Sequence, residues 1–384
     1  MSSAQVDQDV APKRPGVSPS TFAATASPSD PLATWFVEGL SAEFAANGYR
    51  RQETTATDTQ IVLHVVDPDA PKPYRRRAAP TFVIAITATS ERPDDLLRAG
   101  YPLLVRALAN VAVVVSNEPG KRAEFVTLEQ GTYSALHTGN DRDFFREVFT
   151  RLEPLASSRL VIANEYCSDL PEALWSGDEH TAQIRRAGQR LAALDLLPAA
   201  FPIEEILSPR DLRHVKLLFG IGGLSYGNLS ARRGNAAGPL GPEFWMSASG
   251  VDKANLQDVG RDVLLVLGYD PELDAMVLSV PPAVTPRRVS VDAIEHWMIY
   301  REHPEVGAIL HVHAWMDGIS ATDINYPCGT LELAESVAEL VRRAPDPSRA
   351  VVGQRNHGLT ITGHSLDEIF ERIEGRLLRN VPMD

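Results

Sequence analysis

VGAILHVHAWMDGIS (306–320) ends an apolar run with two histidines one residue apart, His311 and His313. The run reads as a buried strand. On a strand, residues i and i+2 share a face and lie about 6.5–7 Å apart along the chain. Two imidazoles at that spacing can converge on one metal ion, and a first-row divalent ion suits nitrogen ligands. Simple packing also produces His-x-His, so a metal site needs a third ligand and usually an acid.

The third ligand is sought in RNHGLTITGHS (355–365), where His357 precedes Gly358 at a strand break. His364 opens the helix LDEIFERIEGRLL and fits a solvent-facing turn. His303, before Pro304, reads as a helix-to-strand loop, and His296 has no fixed facing on the helix before it. The acid candidate is Asp292 in VSVDAIEHWMIYREHPEVGA. Ser290 reads as an N-cap, which puts Asp292 in the first helical turn. There it is either a helix-dipole acid or a carboxylate moving protons beside a metal.

Two glycine-rich junctions can cradle an anion. SYGNLSARRG (225–234) offers Ser225, Gly227, Asn228 and Ser230, and MSASGVDKANL (246–256) offers Ser247, Ser249 and Gly250. Glycines let backbone N–H groups approach a phosphate or carboxylate, and hydroxyls add donors. Each stretch alone also reads as an ordinary turn. Ser290 at a helix N-terminus is a third contribution.

The remainder of the chain sets bounds. Its 384 residues suggest two domains, and 44% hydrophobic with 23% charged residues is ordinary globular composition. A net charge of -13 argues against nucleic-acid or anionic-membrane binding, because both favour a basic face. Two cysteines, Cys167 and Cys328, fit a reduced cytoplasmic setting rather than a disulfide framework. No apolar run approaches the roughly 20 residues of a membrane span. Residues 1–30 are rich in Ser, Ala and Pro, lack the apolar core of a signal peptide, and read as a disordered tail.

Beyond that tail, 31–49, 93–110 and 141–155 have helical patterns, with Pro102 expected to bend or split the second. Strand patterns fall at 59–67, 81–89, 111–117, 123–130 and 158–166. The expected organisation is a disordered tail (1–30), a smaller α/β domain of unassigned role (31–178), a connecting helix (179–202) and a C-terminal domain (203–384). Arg75–Arg76–Arg77 lies in a Pro-bounded turn and reads as a solvated loop, with anion binding as the alternative. His64 and His137 are isolated and read as surface or satisfied core histidines.

In order, SYGNLSAR, MSASGVDKANL, the VSVD helix, YREHPEVGAILHVHAW, CGTLELAESV and RNHGLTITG resemble the class II aldolase/adducin family, over roughly residues 203–384. The resemblance implies an α/β (α+β) fold with a central antiparallel sheet flanked by helices. It implies a homo-oligomer, a tetramer with sites near subunit interfaces. It also implies a divalent metal on His311, His313 and His357, zinc first, with Mn2+, Co2+ or Fe2+ as alternatives. The family's anion-binding residues fall on Gly227, Asn228, Ser249, Gly250 and Ser290, and its catalytic acid/base falls on Asp292. The expected reaction is retro-aldol cleavage or decarboxylation of a small sugar phosphate or hydroxy acid, through a metal-stabilised enediolate. The alternatives are an epimerase or dehydratase on the same site, or a non-catalytic scaffold of the adducin type.

Three departures bear on the aldolase reading. The family's aldolases usually carry Glu where this chain has Asp292, although a related sugar-phosphate epimerase carries Asp. Their helper tyrosine falls near Asn325, and Tyr326 is one position off. Their C-terminal tail tyrosine has no counterpart before the sequence ends in FERIEGRLLRNVPMD.

Overall fold

The computed structural model describes residues 20–25, 30–78, 81–197, 199–218 and 227–383. Ser225, part of the first anion-binding stretch, lies outside them.

Chain order begins β1 (Thr21–Ala24), α1 (Pro31–Ala46), β2 (Arg50–Arg51), β3 (Ile61–Val65), β4 (Phe82–Glu91), α2 (Leu96–Ala107) and β5 (Val111–Glu118). Then come β6 (Arg122–Thr127), β7 (Thr132–Leu136) and α3 (Asp141–Ser157). Among the described residues these strands make a seven-stranded sheet ordered β2-β1-β3-β4-β5-β6-β7. The strands β1, β3, β4 and β5 pair in parallel, and β5, β6 and β7 form an antiparallel meander. Val111–Val115 are buried throughout, as strands covered on both faces require. One face packs Phe22, Phe36, Phe44, Phe144 and Phe149 from the sheet, α1 and α3.

Two expectations change here. The tail assigned to 1–30 contains β1, which sits inside the sheet between β2 and β3 because Phe22 and Ala23 are fully buried there. Pro102 does not split α2, which runs unbroken from Leu96 to Ala107. One lost helical bond costs about 3 kcal/mol. Burial of Tyr101, Leu103, Leu104 and Val105, at about 1.5–3 kcal/mol for each large apolar side chain, outweighs it.

The chain continues through β8 (Ala163–Cys167), α4 (Glu179–Ala193), α5 (Ile203–Ile206), α6 (Pro209–Leu218), β9 (Gly227–Gly238), β10 (Gly241–Ser247), β11 (Val263–Asp270) and β12 (Ala275–Ser279). It ends with α7 (Ala293–Glu302), β13 (Ala308–Val312), α8 (Leu331–Arg343), β14 (Val351–Gln354), β15 (Gly358–Gly363) and α9 (Leu366–Ile373). Among the described residues these strands form an eight-stranded sheet ordered β14-β15-β13-β9-β10-β11-β12-β8. It is antiparallel except at β8, which pairs in parallel with β12. The mixed α/β class with a central antiparallel sheet flanked by helices therefore describes this half.

The spatial division does not follow the sequence boundaries. β8, read with the N-terminal strands, completes the second sheet. The connecting helix α4 packs on β9, β10 and α9. The segment that opens the C-terminal stretch packs instead against α2, where Phe201, Ile203, Leu207 and Val215 are buried. Tyr101 and Phe201 meet edge-on there, with ring centroids 5.2 Å apart. Apolar residues at 201–215 need a face to cover, and α2 offers it. Arg106 adds an ion pair to Asp211 at 2.9 Å.

Register then fixes the faces of the second sheet. His311 lies opposite Asn228 on β9 and opposite Thr360 on β15. Directly opposed residues share a face, so Asn228, His311 and Thr360 form one row, on the side covered by α7. Ala308 and Gly363 are opposed on the other face, where Ile369 of α9 packs against Gly363. Among the described residues, no helix is long and apolar enough to cross a membrane.

Candidate metal centre

The strand β13 ends inside the protein, and two glycines allow its neighbours to close around that end. A Cβ on Gly227 would stand 2.1 Å from the carbonyl oxygen of His311, and one on Gly358 would stand 2.2 Å from that of Val312. Neither position tolerates a side chain without moving backbone. The turn before Gly358 is tight: Asn356 holds a left-handed backbone with φ 59°. His357, next in the chain, is thereby set against the end of β13.

Three histidines meet there. Ring centroids are 5.0 Å apart for His311 and His357, 5.2 Å for His311 and His313, and 4.7 Å for His313 and His357. One ligating nitrogen from each lies within 4.8 Å of the other two. His311 and His357 are buried, and His313 is partly so.

Tautomers follow from the partners. Nδ1 of His311 lies 3.0 Å from the carbonyl oxygen of Leu359, and Nδ1 of His357 lies 3.3 Å from that of Glu129. A carbonyl only accepts, so in both rings Nδ1 carries the hydrogen and Nε2 presents a lone pair. Those two Nε2 atoms face each other at 3.2 Å. Two lone pairs so placed repel unless a cation lies between them. Nitrogens bound tetrahedrally at about 2.0–2.1 Å from zinc would stand about 3.3 Å apart. The donor set therefore fits a divalent ion held by His311, His313 and His357. Burial, then the neighbouring histidines, pushes His311 well below its usual value, which keeps it neutral as a ligand must be.

Asp292 stands beside this cluster. α7 begins at Ala293, so Asp292 is the N-cap itself rather than a first-turn residue, and its side chain makes no capping bond. Ser290 accordingly is not the cap; its carbonyl accepts from the N–H of Ala293 at 3.1 Å. The Asp292 carboxylate turns inward, where Oδ2 accepts from Nδ2 of Asn228 at 2.6 Å and Oδ1 has no hydrogen-bond partner. Burial raises its pKa, while the neighbouring His357 lowers it.

The remaining anion-site candidates lie along one seam. Ala248 bridges to Val289, the N–H of Ser249 donates to the carbonyl of Arg288 at 2.9 Å, and that of Ser290 to the carbonyl of Ser247 at 3.4 Å. Gly250 turns the chain with φ 65°. The seam joins Ser249, Gly250 and Ser290, and Leu229, next to Asn228, reaches it by donating to Oγ of Ser247 at 3.4 Å.

Other candidates fall elsewhere. His364 is exposed, His303 pairs with Glu305 at 3.4 Å, and His137 pairs with Asp141 at 2.7 Å. Arg76 braces its own loop through the carbonyl of Thr81 and the side chain of Asn110. Asn325 donates to the carbonyl of Arg355 at 3.3 Å, which steadies the turn that carries His357.

Three residues near the cluster were given no place in the site by the sequence reading. Cys328 places Sγ 3.2 Å from Nε2 of His357. Glu129, from the β6–β7 turn, lies beside Cys328. Glu295 accepts from Thr360 Oγ1 at 2.6 Å and from Gln354 Nε2 at 2.9 Å. Burial, then the charge on Asp292, raises the Glu295 pKa. A Glu five residues past a serine carries no signal by itself. Its meaning appears only when Thr360 arrives in register.

His296 sits one turn into α7, fully buried, with Nδ1 2.8 Å from Oγ of Ser230. Burial lowers its pKa to about 3. The unfolded chain therefore binds more protons than the folded one from about pH 6.5 downward. Stability is lost as pH falls through that value and levels off near the folded pKa. At pH 5 the expected loss from this residue is about 2 kcal/mol relative to neutral pH. Urea unfolding at pH 7 and pH 5, compared between wild type and His296→Gln, reads it directly. An equal change in both proteins removes the assignment.

Comparison with known proteins follows the same region. Residues 213–316 match the model for the class II aldolase and adducin N-terminal domain. A methylthioribulose-1-phosphate dehydratase from Pectobacterium atrosepticum is 31% identical over 131 residues, 34% of this chain and 50% of that protein. The chain thus spans half the length of that relative. An L-fuculose phosphate aldolase from Methanococcus vannielii is 26% identical over 130 residues, 28% of this chain and 68% of that protein. Among solved structures, an L-fuculose 1-phosphate aldolase aligns over 52% of this chain and 82% of its own, with 16% identity and a TM-score of 0.35.

Proposed function

From the match of residues 213–316 to the class II aldolase and adducin N-terminal domain, we propose that this chain is a divalent-metal-dependent enzyme of that family that cleaves or dehydrates a small sugar phosphate. The observation that carries the reading is the facing pair of Nε2 lone pairs on His311 and His357, with His313 beside them. A divalent ion held there would polarise a substrate oxygen as a Lewis acid.

The chain's own residues supply the remaining parts. Asp292, with Oδ1 uncommitted and Oδ2 fixed by Asn228, would take the proton from a substrate hydroxyl or carbon and later return it. Its burial suits this, because a carboxyl pushed up from its ordinary value is a stronger base once ionised. Backbone and hydroxyl donors of Ser249, Gly250 and Ser290 would hold the substrate's phosphate, with Gly227 and Asn228 bordering it. A carboxylated substrate would use the same donors. Zinc is the first choice of metal, since three histidines suit it, although such a set does not by itself exclude manganese, cobalt or iron. Assembly into a homo-oligomer and a cytoplasmic location belong to the same proposal.

Dehydration is the second reading, and the 31% identity to a methylthioribulose-1-phosphate dehydratase favours it. The test loads the purified chain with each metal and offers L-fuculose 1-phosphate and methylthioribulose 1-phosphate in turn. Retro-aldol cleavage yields two carbonyl fragments. Dehydration yields one product lighter by a water. Inversion at a carbon with the skeleton intact would point to an epimerase. A chain that takes up no metal and turns over neither compound would leave the scaffold reading.

A further inference from the structure

The turn between β6 and β7 reaches across from the first sheet to the histidines of the second. The N–H of Thr127 donates to the carbonyl of Gly131 at 3.0 Å, and the N–H of Gln130 donates to Oγ1 of Thr127 at 3.0 Å. Gly131 closes the turn with φ 60°. Two contacts anchor the turn and the start of β7. Nε2 of Gln130 donates to the carbonyl of Tyr326, and Nδ2 of Asn356 donates to the carbonyl of Thr132 at 3.1 Å. Next to the first of these anchors, Glu129 touches the metal centre twice.

Its carbonyl oxygen receives Nδ1–H of His357 at 3.3 Å. That bond fixes the tautomer in which Nε2 is the ligand atom. A ligating histidine usually gives its other N–H to such a partner, and losing one costs about 10–100-fold in metal affinity or activity. Its carboxylate lies beside Cys328, close enough to interact with both the thiol and the backbone N–H. The Cys328 sulfur also lies 3.2 Å from Nε2 of His357. The thiol has one proton and two acceptors, and a metal that claims Nε2 removes one of them.

We propose that the β6–β7 turn of the first sheet is part of the metal centre, with Glu129 as a positioning residue. Its carbonyl orients His357, and its carboxylate receives the Cys328 thiol when a metal occupies Nε2. This rests on the metal reading above. It gives the first sheet a task within the site: metal binding and docking of the turn are linked, each favouring the other.

The test compares wild type, Glu129→Gln and Gln130→Ala. Gln130→Ala keeps the carboxylate but removes an anchor of the turn. Zinc affinity is measured by competition with a chromophoric chelator, and the melting temperature of each metal-free chain is recorded alongside. The infrared S–H stretch of Cys328 is read before and after zinc addition. The expected result is zinc binding weakened at least about 10-fold in Gln130→Ala, which loosens the turn that carries the Glu129 carbonyl, and a smaller loss in Glu129→Gln, which keeps that carbonyl, with metal-free chains that still melt cooperatively. The S–H band of wild type should shift to lower frequency on loading, as the thiol turns to the carboxylate, and shift less in Glu129→Gln. If Glu129→Gln does not fold, Gln130→Ala and the wild-type band carry the test. Wild-type zinc affinity in every folded variant overturns the proposal. A wild-type chain that takes up no metal removes the metal reading itself, an outcome visible before any variant is made.

Discussion

Replacing His357 with alanine is expected to abolish metal binding, from about one ion per chain to none above background. The residue holds one of the two facing Nε2 atoms, and its loss leaves His311 and His313 as a two-nitrogen pair. Two neutral imidazoles do not make the three-ligand platform that catalytic zinc sites use. Elemental analysis of untagged protein purified without chelators reads this directly. Thermal unfolding gives a second measure. Metal at about 100 times its dissociation constant stabilises the folded chain by about 2.7 kcal/mol, and the variant should show no such gain. Metal content equal to wild type would mean that the third ligand lies elsewhere.

Replacing Asp292 with asparagine is expected to lower turnover by about 10²–10⁴-fold while leaving metal content unchanged. The carboxylate accepts from Asn228 on one oxygen and keeps the other uncommitted, so asparagine preserves shape and removes the proton acceptor. The new amide can still present its oxygen to Asn228, which limits the structural cost. Loss of metal together with activity would recast Asp292 as a ligand. Turnover equal to wild type would sink its role as acid and base.

The two predictions differ in how they could be reached. Alternation along VGAILHVHAW is enough to put His311 and His313 on one side, because side-chain direction in a strand repeats every second residue. The order of short motifs after residue 203 was likewise legible, and it pointed to Asn228, Asp292 and His357 as members of one site. Which of Asp292's two readings applied was not legible. The helix start falls two residues later than Ser290 suggests, and Asn228 arrives only through the pairing of β9 with β13.

The sequence by itself determined the local periods, the turns that need glycine and the kinds of donor available. Burial and pairing decided the rest. β8 joined the second sheet because its parallel register with β12 completes that sheet's edge, and nothing within 163–167 announces the partner. Thr21–Ala24 became a strand because the first sheet covers Phe22. Glu129 stands 228 residues from His357 in the chain yet touches it through a carbonyl, a group every residue carries. Contacts of that kind leave no pattern in a sequence, since they depend on where two separately formed sheets come to rest against each other.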